Sequence, residues 1–442
     1  MTGPRNKERG MRIALLSYRT KEHSGGQGVY IRQLSTGLVE LGHRVEVFSG
    51  QPYPENLDER VTVTRVPSLD LYREPDPFRI PKLSEYRDLI DVQEYALTGL
   101  TGAFAEPLTF SKRIARIMRR RASEFDIVHD NQSLGTGLLE LVDHGVPLAA
   151  TIHHPITRDR RVELAAAPWW KKPSVARWYS FVSMQAKVAR RIPILIGVSR
   201  VSVDDTINDF GLRPEQFRVV PLGADISVFH PDAAPRRVSG RIVCVASADN
   251  PLKGVDHLLD AVAKLRVERD VELQLVCKLN PQGATQRRID ELGIADIVHA
   301  SNGLSDAELA SLLASAEVVA VPSLYEGFSL PTVEALACGT PVVASNAGAL
   351  PEVLGTDGTQ GLLVPPGDAE ALVQGIGALL DDPQRRARMG AAARERAVRT
   401  FSWTAVAART VEAYADAQEA AARHRSALRA ADNHRKGAHA DR

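Results

Sequence analysis

Cysteine is scarce: Cys244, Cys277 and Cys338 are the only three among 442 residues. An odd number, set in apolar stretches and without metal-site spacing, argues against a disulfide framework and predicts free thiols in a reducing, cytoplasmic setting. Long apolar runs are missing too; none approaches the ~20 residues of a membrane-spanning helix. Nor is there a surplus of charge. The 55 Lys and Arg nearly cancel the 54 Asp and Glu, leaving +1, so no global field argues for nucleic acid as a partner. Asp-x-Asp is absent, and no carboxylates show evident Mg²⁺ spacing, so we expect chemistry without a bound metal or cofactor. Met1 to Gly10 is polar and charged and reads as a loose tail rather than a secretory leader. No internal repeat is evident.

The chain is too long for one ordinary core and suits two. With 44% hydrophobic and 25% charged residues, it reads as globular. Strand-like and helix-like segments alternate twice over, which predicts an α/β protein with two doubly wound domains. The first opens with RIALLSY, a glycine-bearing loop containing Gly25, Gly26 and Gly28, an apolar-faced helix and the strand Val45 to Phe48. It runs from 11 to about 225. ISVFHPDAAPRRVSG, 226–240, reads as a linker. The second domain starts with RIVCVAS and covers 241–402. A closing helix is expected at 403–421 and a mobile Ala-, Arg- and His-rich tail at 422–442.

The stretch EVVAVPSLYEGFSLPTVEALACGTPVVAS, from Glu317 to Ser345, is the most informative. VVAV ended by Pro322 reads as a buried strand. Pro331 suits a first helical turn, Gly339 and Pro341 end that helix, and Val342 to Ala344 is the next strand, parallel to the first. Ligands in such sheets sit beyond the carboxyl ends of the strands. The loop there, loosened by Gly327, brings the amides of Phe328, Ser329 and Leu330 to a helix N-terminus, where an anion is favoured. Glu326 and Glu334 flank it, and carboxylates accept well from hydroxyls. Amides for phosphate and acids for hydroxyls fit a sugar nucleotide. For one Glu alone, dipole complementation is the commoner explanation.

The motif EGFSLPTVEALACGTPVVAS, with Glu, seven residues, then Glu, resembles the signature of the large retaining glycosyltransferase family that includes glycogen synthases, sucrose synthases and bacterial mannosyltransferases. The resemblance extends over roughly Met11 to Tyr414 and implies the GT-B fold, two Rossmann-like domains facing across a cleft, with the closing helix returning to the first. It also implies roles. Glu326 holds donor-sugar hydroxyls and Glu334 the ribose. Lys253, in PLKG, and the 328–330 amides stabilise the leaving diphosphate, and the Gly25–Gly26 loop faces that diphosphate. His153, in the Thr-x-His of TIHHP, approaches donor sugar and acceptor, and could bond a hydroxyl or take a proton. The family's usual Gly-Arg is replaced by Ser247 and Ala248. Lys278, at a strand end, is a candidate substitute for the missing arginine, although a solvent-facing lysine is the commoner outcome.

On the acceptor side, SKRIARIMRRR carries Arg113, Arg116, Arg119 and Arg120, and PWWKK carries Trp169, Trp170, Lys171 and Lys172. Basic residues beside aromatics suit an anionic membrane, whereas charge runs are more commonly solvated helix faces. The expected activity is transfer of a hexose from a UDP-, GDP- or ADP-linked donor to a glycan or lipid hydroxyl with retention of configuration, by a cytoplasmic protein with a peripheral contact at the inner membrane face. The alternatives are a sugar-nucleotide epimerase of the same fold and a binding protein without turnover.

Overall fold

The computed structural model describes residues 10–20, 26–73, 76, 79–154 and 156–440. Met1 to Arg9 of the expected tail and Gly25 lie outside them. Chain contacts divide the molecule into two units, 1–198 with 202–220 and 407–442, and 199–201 with 221–406.

In the first unit β1 (Arg12–Ser17), β2 (Arg44–Ser49), β3 (Thr62–Arg65), β4 (Ile127–Asn131), β5 (Leu148–Ile152), β6 (Ile194–Gly197) and β7 (Phe217–Val219) form one sheet in the order β3-β2-β1-β4-β5-β6-β7. Every pairing is parallel. The second unit orders β8 (Arg241–Val245), β9 (Glu272–Val276), β10 (Val298–Ser301), β11 (Val318–Val321), β12 (Val342–Ser345) and β13 (Gly361–Val364) as β10-β9-β8-β11-β12-β13, again all parallel. Both units are doubly wound α/β domains, as the alternation predicts.

Strands covered on both faces need continuous apolar runs. The runs VVAV of β11 and VVAS of β12 are buried at every position. Strand order reverses between β1 and β4 in one sheet and between β8 and β11 in the other. Each reversal opens a crevice at the carboxyl edge, where ligands of this architecture bind.

The three cysteines are buried, free thiols. Segment 226–240, expected as a linker, belongs to the second unit, and the chain passes from the first unit to the second after 220 instead of 225. One helix, Trp403–Ala440, takes the place of the expected helix plus mobile tail. Alanine is the strongest helix former, and Arg425 of this helix anchors to the Gly145 carbonyl at 2.5 Å.

Candidate active site

The second unit's crevice is built by two loops. The loop after β8 makes a tight turn at Pro251–Lys253, with the Asn250 side chain accepting from the Leu252 amide. Gly254 follows in the left-handed conformation, φ +62°, and a Cβ there would stand 2.1 Å from the Pro322 carbonyl oxygen. Only glycine lets this turn press against the end of β11. Leu324 N–H then donates to the Leu252 carbonyl at 2.8 Å, tying the loops together.

The result is a charged contact at the crevice. Lys253 Nζ lies 2.8 Å from Glu326 Oε1, and Ser323 Oγ donates to the same oxygen at 2.8 Å. Both bonds fall on Oε1 and neither on Oε2. The Glu326 carbonyl accepts from Ala349 at 2.9 Å, and Gly348, φ +55°, permits the approach, since a Cβ there would meet that carbonyl at 2.2 Å.

The helix Leu330–Ala337 starts as expected, with Pro331 in its first turn. The amides of Phe328, Ser329 and Leu330 have no carbonyl one turn back to bond, so they are donors for an anion. The backbone is not loosened at Gly327, as the sequence suggests. Ser329 takes the left-handed conformation, φ 94° and ψ 81°, with its hydroxyl 2.8 Å from that of Thr332. A non-glycine residue there is strained, and such strain concentrates at ligand-binding turns. Glu334 keeps part of its surface on solvent. Its carboxyl nevertheless lies deep enough for burial to push it up to about 7, and Asp306, the first residue of the helix Asp306–Ser315, adds to this. Lys278 is exposed beyond β9 and makes no salt bridge among the described residues. Ala248 is buried in the second core, which leaves no arginine-like side chain at that position.

The first unit holds His153 at the carboxyl end of β5. Gln132 clamps the adjoining backbone: its Oε1 accepts from the His153 amide at 2.7 Å, and its Nε2 donates to the His154 carbonyl at 2.9 Å. His153 Nε2 is 2.8 Å from Asn131 Oδ1, and the ring meets Tyr30 edge-on at 4.8 Å. Burial pushes the imidazole down to about 3, so it is neutral and suited to hydrogen bonding. Of the two roles the sequence allows, proton acceptance is the one this environment disfavours. Beneath it runs a buried polar chain. Tyr30 meets Thr151 at 3.0 Å, Thr151 meets His129 Nε2 at 2.7 Å, and His129 Nδ1 meets the Tyr414 hydroxyl at 2.7 Å. Asn131, Gln132 and Tyr414 carry no motif and escape sequence reasoning. The expected glycine-bearing loop is described only from Gly26, the first residue of the helix Gly26–Glu40.

The basic helix Glu106–Arg121 is not the free cationic face its composition suggests. Arg113 is buried against Asp91 and Glu94, Arg116 pairs with Asp88, and Arg119 pairs with Glu140. Acids from neighbouring elements neutralise them, which a linear reading cannot see. Arg120 stays exposed, as do Lys171 and Lys172. Trp169 and Trp170 are 78% and 63% exposed. Among the described residues no helix is long and apolar enough to cross a membrane, and no three His, Cys, Asp or Glu side chains are grouped to hold a metal ion.

Comparison with known proteins agrees with this geometry. Residues 24–228 match the model of Glycosyltransferase Family 4, and residues 230–396 match that of Glycosyl transferases group 1. The chain is 63% identical over 404 residues to the MMP alpha-(1->4)-mannosyltransferase of Mycolicibacterium hassiacum, covering 91% of this chain and 98% of that protein. It is 30% identical to the D-inositol 3-phosphate glycosyltransferase of Xylanimonas cellulosilytica, over 92% of this chain and 97% of that one. Among solved structures, sucrose-phosphate synthase from Thermosynechococcus elongatus has a similar fold, with a TM-score of 0.65, 24% identity, and coverage of 93% of this chain and 100% of that chain. HepE of Anabaena, solved in complex with UDP-glucose, aligns with a TM-score of 0.62 and 20% identity over 91% of this chain and 98% of that chain. The chain therefore belongs to the glycosyltransferases of family 4 and group 1, and it is a transferase built on the two Rossmann-like domains of the GT-B fold.

Proposed function

We propose that the chain moves a mannosyl group from a nucleotide-diphosphate sugar to a hydroxyl of a glycan acceptor, with retention of configuration and without a metal ion. The Lys253–Glu326 pair beside the open N-terminus of the helix Leu330–Ala337 carries this reading. It sets a cation and unbonded amides next to a carboxylate with one oxygen unused. A departing diphosphate takes charge stabilisation from Lys253 and from the 328–330 amides. Glu326 Oε2 accepts from donor-sugar hydroxyls, and Glu334 accepts from the ribose. His153, neutral, directs a hydroxyl. The acceptor attacks on the face the leaving group vacates. Mannose and an α-1,4 linkage follow the name of the 63% identical relative. The remaining finer assignments are the nucleotide and the role of Lys278, whose exposure favours a solvent-facing side chain.

The test is a panel of UDP-, GDP- and ADP-linked mannose and glucose with a manno-oligosaccharide acceptor, the product's anomeric configuration being read by NMR. Transfer with an α-product supports the proposal. Release of free sugar alone, an epimerised donor or an inverted product overturns it.

A lipid-linked acceptor is the second reading, favoured by exposed Trp169 and Trp170 beside Lys171 and Lys172. Flotation with anionic vesicles at low salt checks it; no co-flotation ends that reading.

A further inference from the structure

Residues 130–134, at the carboxyl end of β4, are all buried, and the chain bends there. Gln132 and Leu134 both take the left-handed conformation, with φ of 54° and 45°. Neither is glycine, so the bend is strained. Asp130 holds it, its carboxyl accepting from the Ser133 hydroxyl and, at 2.9 Å, from the Leu134 amide. Along an extended strand, neighbouring side chains point to opposite faces. The left-handed Gln132 breaks that alternation, and the side chains of Asn131 and Gln132 both reach residue 153. One takes the imidazole and the other the backbone.

The Asn131 contact fixes where the imidazole proton lies. Asn131 Nδ2 donates to the Gln27 carbonyl at 3.3 Å, so Oδ1 is the atom that faces His153 Nε2 at 2.8 Å. Turning the amide over would set Oδ1 against that carbonyl, acceptor against acceptor. An amide oxygen has no proton to give, so Nε2 is the donor. A neutral imidazole carries one N–H, and burial keeps this ring neutral, pushed down to about 3. The proton therefore sits on Nε2, and Nδ1 holds a lone pair. Tyr30 stands nearly perpendicular to the ring, 4.8 Å away, which resists its turning. Among the described residues Nδ1 makes no hydrogen bond, and His153 keeps part of its surface on solvent.

The neighbours leave that assignment undisturbed. His129 of β4 and Tyr30 of the helix Gly26–Glu40 are titratable, and burial keeps both uncharged. His154 is next in the chain and lies 3.1 Å from Asp159 Oδ2. A lone pair at Nδ1 accepts a hydrogen bond and cannot give one. The ligand group it selects is therefore a donor such as a hydroxyl, rather than a carbonyl or ether oxygen.

We propose that Asn131 is a positioning residue that holds His153 as its Nε2–H tautomer, so that Nδ1 accepts from a hydroxyl of the bound sugar. The hydroxyl contact rests on the glycosyltransferase reading; the tautomer does not. Nitrogen NMR of the full chain with isotope-labelled histidine tests it, the His153 signals being identified by their loss in His153→Ala. The expected spectrum shows Nε2 protonated and Nδ1 unprotonated from about pH 5 to about pH 8. When UDP-, GDP- and ADP-linked mannose are titrated in, at least one shifts the Nδ1 signal while the proton stays on Nε2. In Asn131→Ala the proton spreads onto Nδ1, and kcat falls roughly tenfold with KM values within about twofold of wild type. Asn131→Asp keeps the oxygen but adds a charge, which raises the imidazole pKa. Both nitrogens are then protonated at low pH, and kcat recovers as pH rises through the raised value, a step that wild type lacks. A wild-type His153 protonated on Nδ1 at neutral pH overturns the assignment, as does an unchanged His153 tautomer in Asn131→Ala. The wild-type spectrum decides alone should the variants not fold. An unprotonated Nδ1 that responds to no sugar nucleotide overturns the hydroxyl contact. The expected tautomer without sugar transfer from any donor defeats the proposed reaction and leaves the role of Asn131 standing.

Discussion

At the scale of single residues, Glu326 and Glu334 are two acids with unlike surroundings. Glu326 receives Lys253 and Ser323 on one oxygen and offers the other. Removing it strips both the proposed ligand contact and the partner that holds the lysine. Glu326→Ala and Lys253→Ala are each expected to lower kcat by about 10²–10³-fold, measured as initial transfer rates at saturating donor. Glu334 is held up at about 7 by burial and by Asp306. Because its folded value stands above the ordinary carboxyl range, the neutral form is favoured in the fold. Stability from this group is full below about 4.5 and is lost as pH rises through 7. Glu334→Gln should therefore gain stability relative to wild type over that window, on the order of 2 kcal/mol, as read by urea unfolding at pH 5 and pH 8. Nucleotide diphosphate binding should change in the opposite sense. A ribose diol accepted by the ionised carboxylate makes wild-type affinity rise through about pH 7, and titration calorimetry on Glu334→Gln should show no such step.

At the scale of elements, two glycines set the site. The loop after β8 presses on the end of β11 because Gly254 has no Cβ where the Pro322 carbonyl passes, and the loop after β12 reaches the Glu326 carbonyl because Gly348 has none. Gly254→Ala adds a left-handed alanine to that collision. It should cost about 2 kcal/mol or more in chemical denaturation and also weaken nucleotide binding, since the turn carries Lys253. Much of this unit is legible in the sequence. VVAV, Pro322, Pro331 and Gly339 mark a strand, its end, a helix start and a helix stop through local sterics alone. The left-handed residue is not legible. Gly327 reads as the residue that loosens the loop, but the positive φ falls on Ser329. The basic helix teaches the same lesson, because Arg113, Arg116 and Arg119 find their acids on neighbouring elements, 19 to 28 residues away in the chain.

At the scale of the whole molecule, the final helix completes the first unit. Tyr414 lends its hydroxyl to His129, a buried ring that burial pushes down to about 3. Tyr414→Phe leaves the His129 Nδ1 without a partner. The expected cost is about 1–3 kcal/mol in unfolding free energy, with donor binding at the second unit unchanged by calorimetry. Composition presents the end of the chain as a mobile tail, yet the closing helix runs on through it to Ala440, and Arg425 there donates to the Gly145 carbonyl.

The amino-acid order alone determined the two α/β domains and the strand–helix–strand unit, because these depend on periodicity, on proline and glycine sterics, and on short spacings, whereas the Lys253–Glu326 contact joins residues 73 positions apart. Folding in three dimensions decided which arginines are neutralised, where the backbone is strained, and how Gln132 and Asn131 fix His153. The arginine and His153 contacts join residues 19 to 28 positions apart in the chain. Their energies come from desolvation and contact, which have no counterpart in a linear pattern until the sheets bring the segments to one edge.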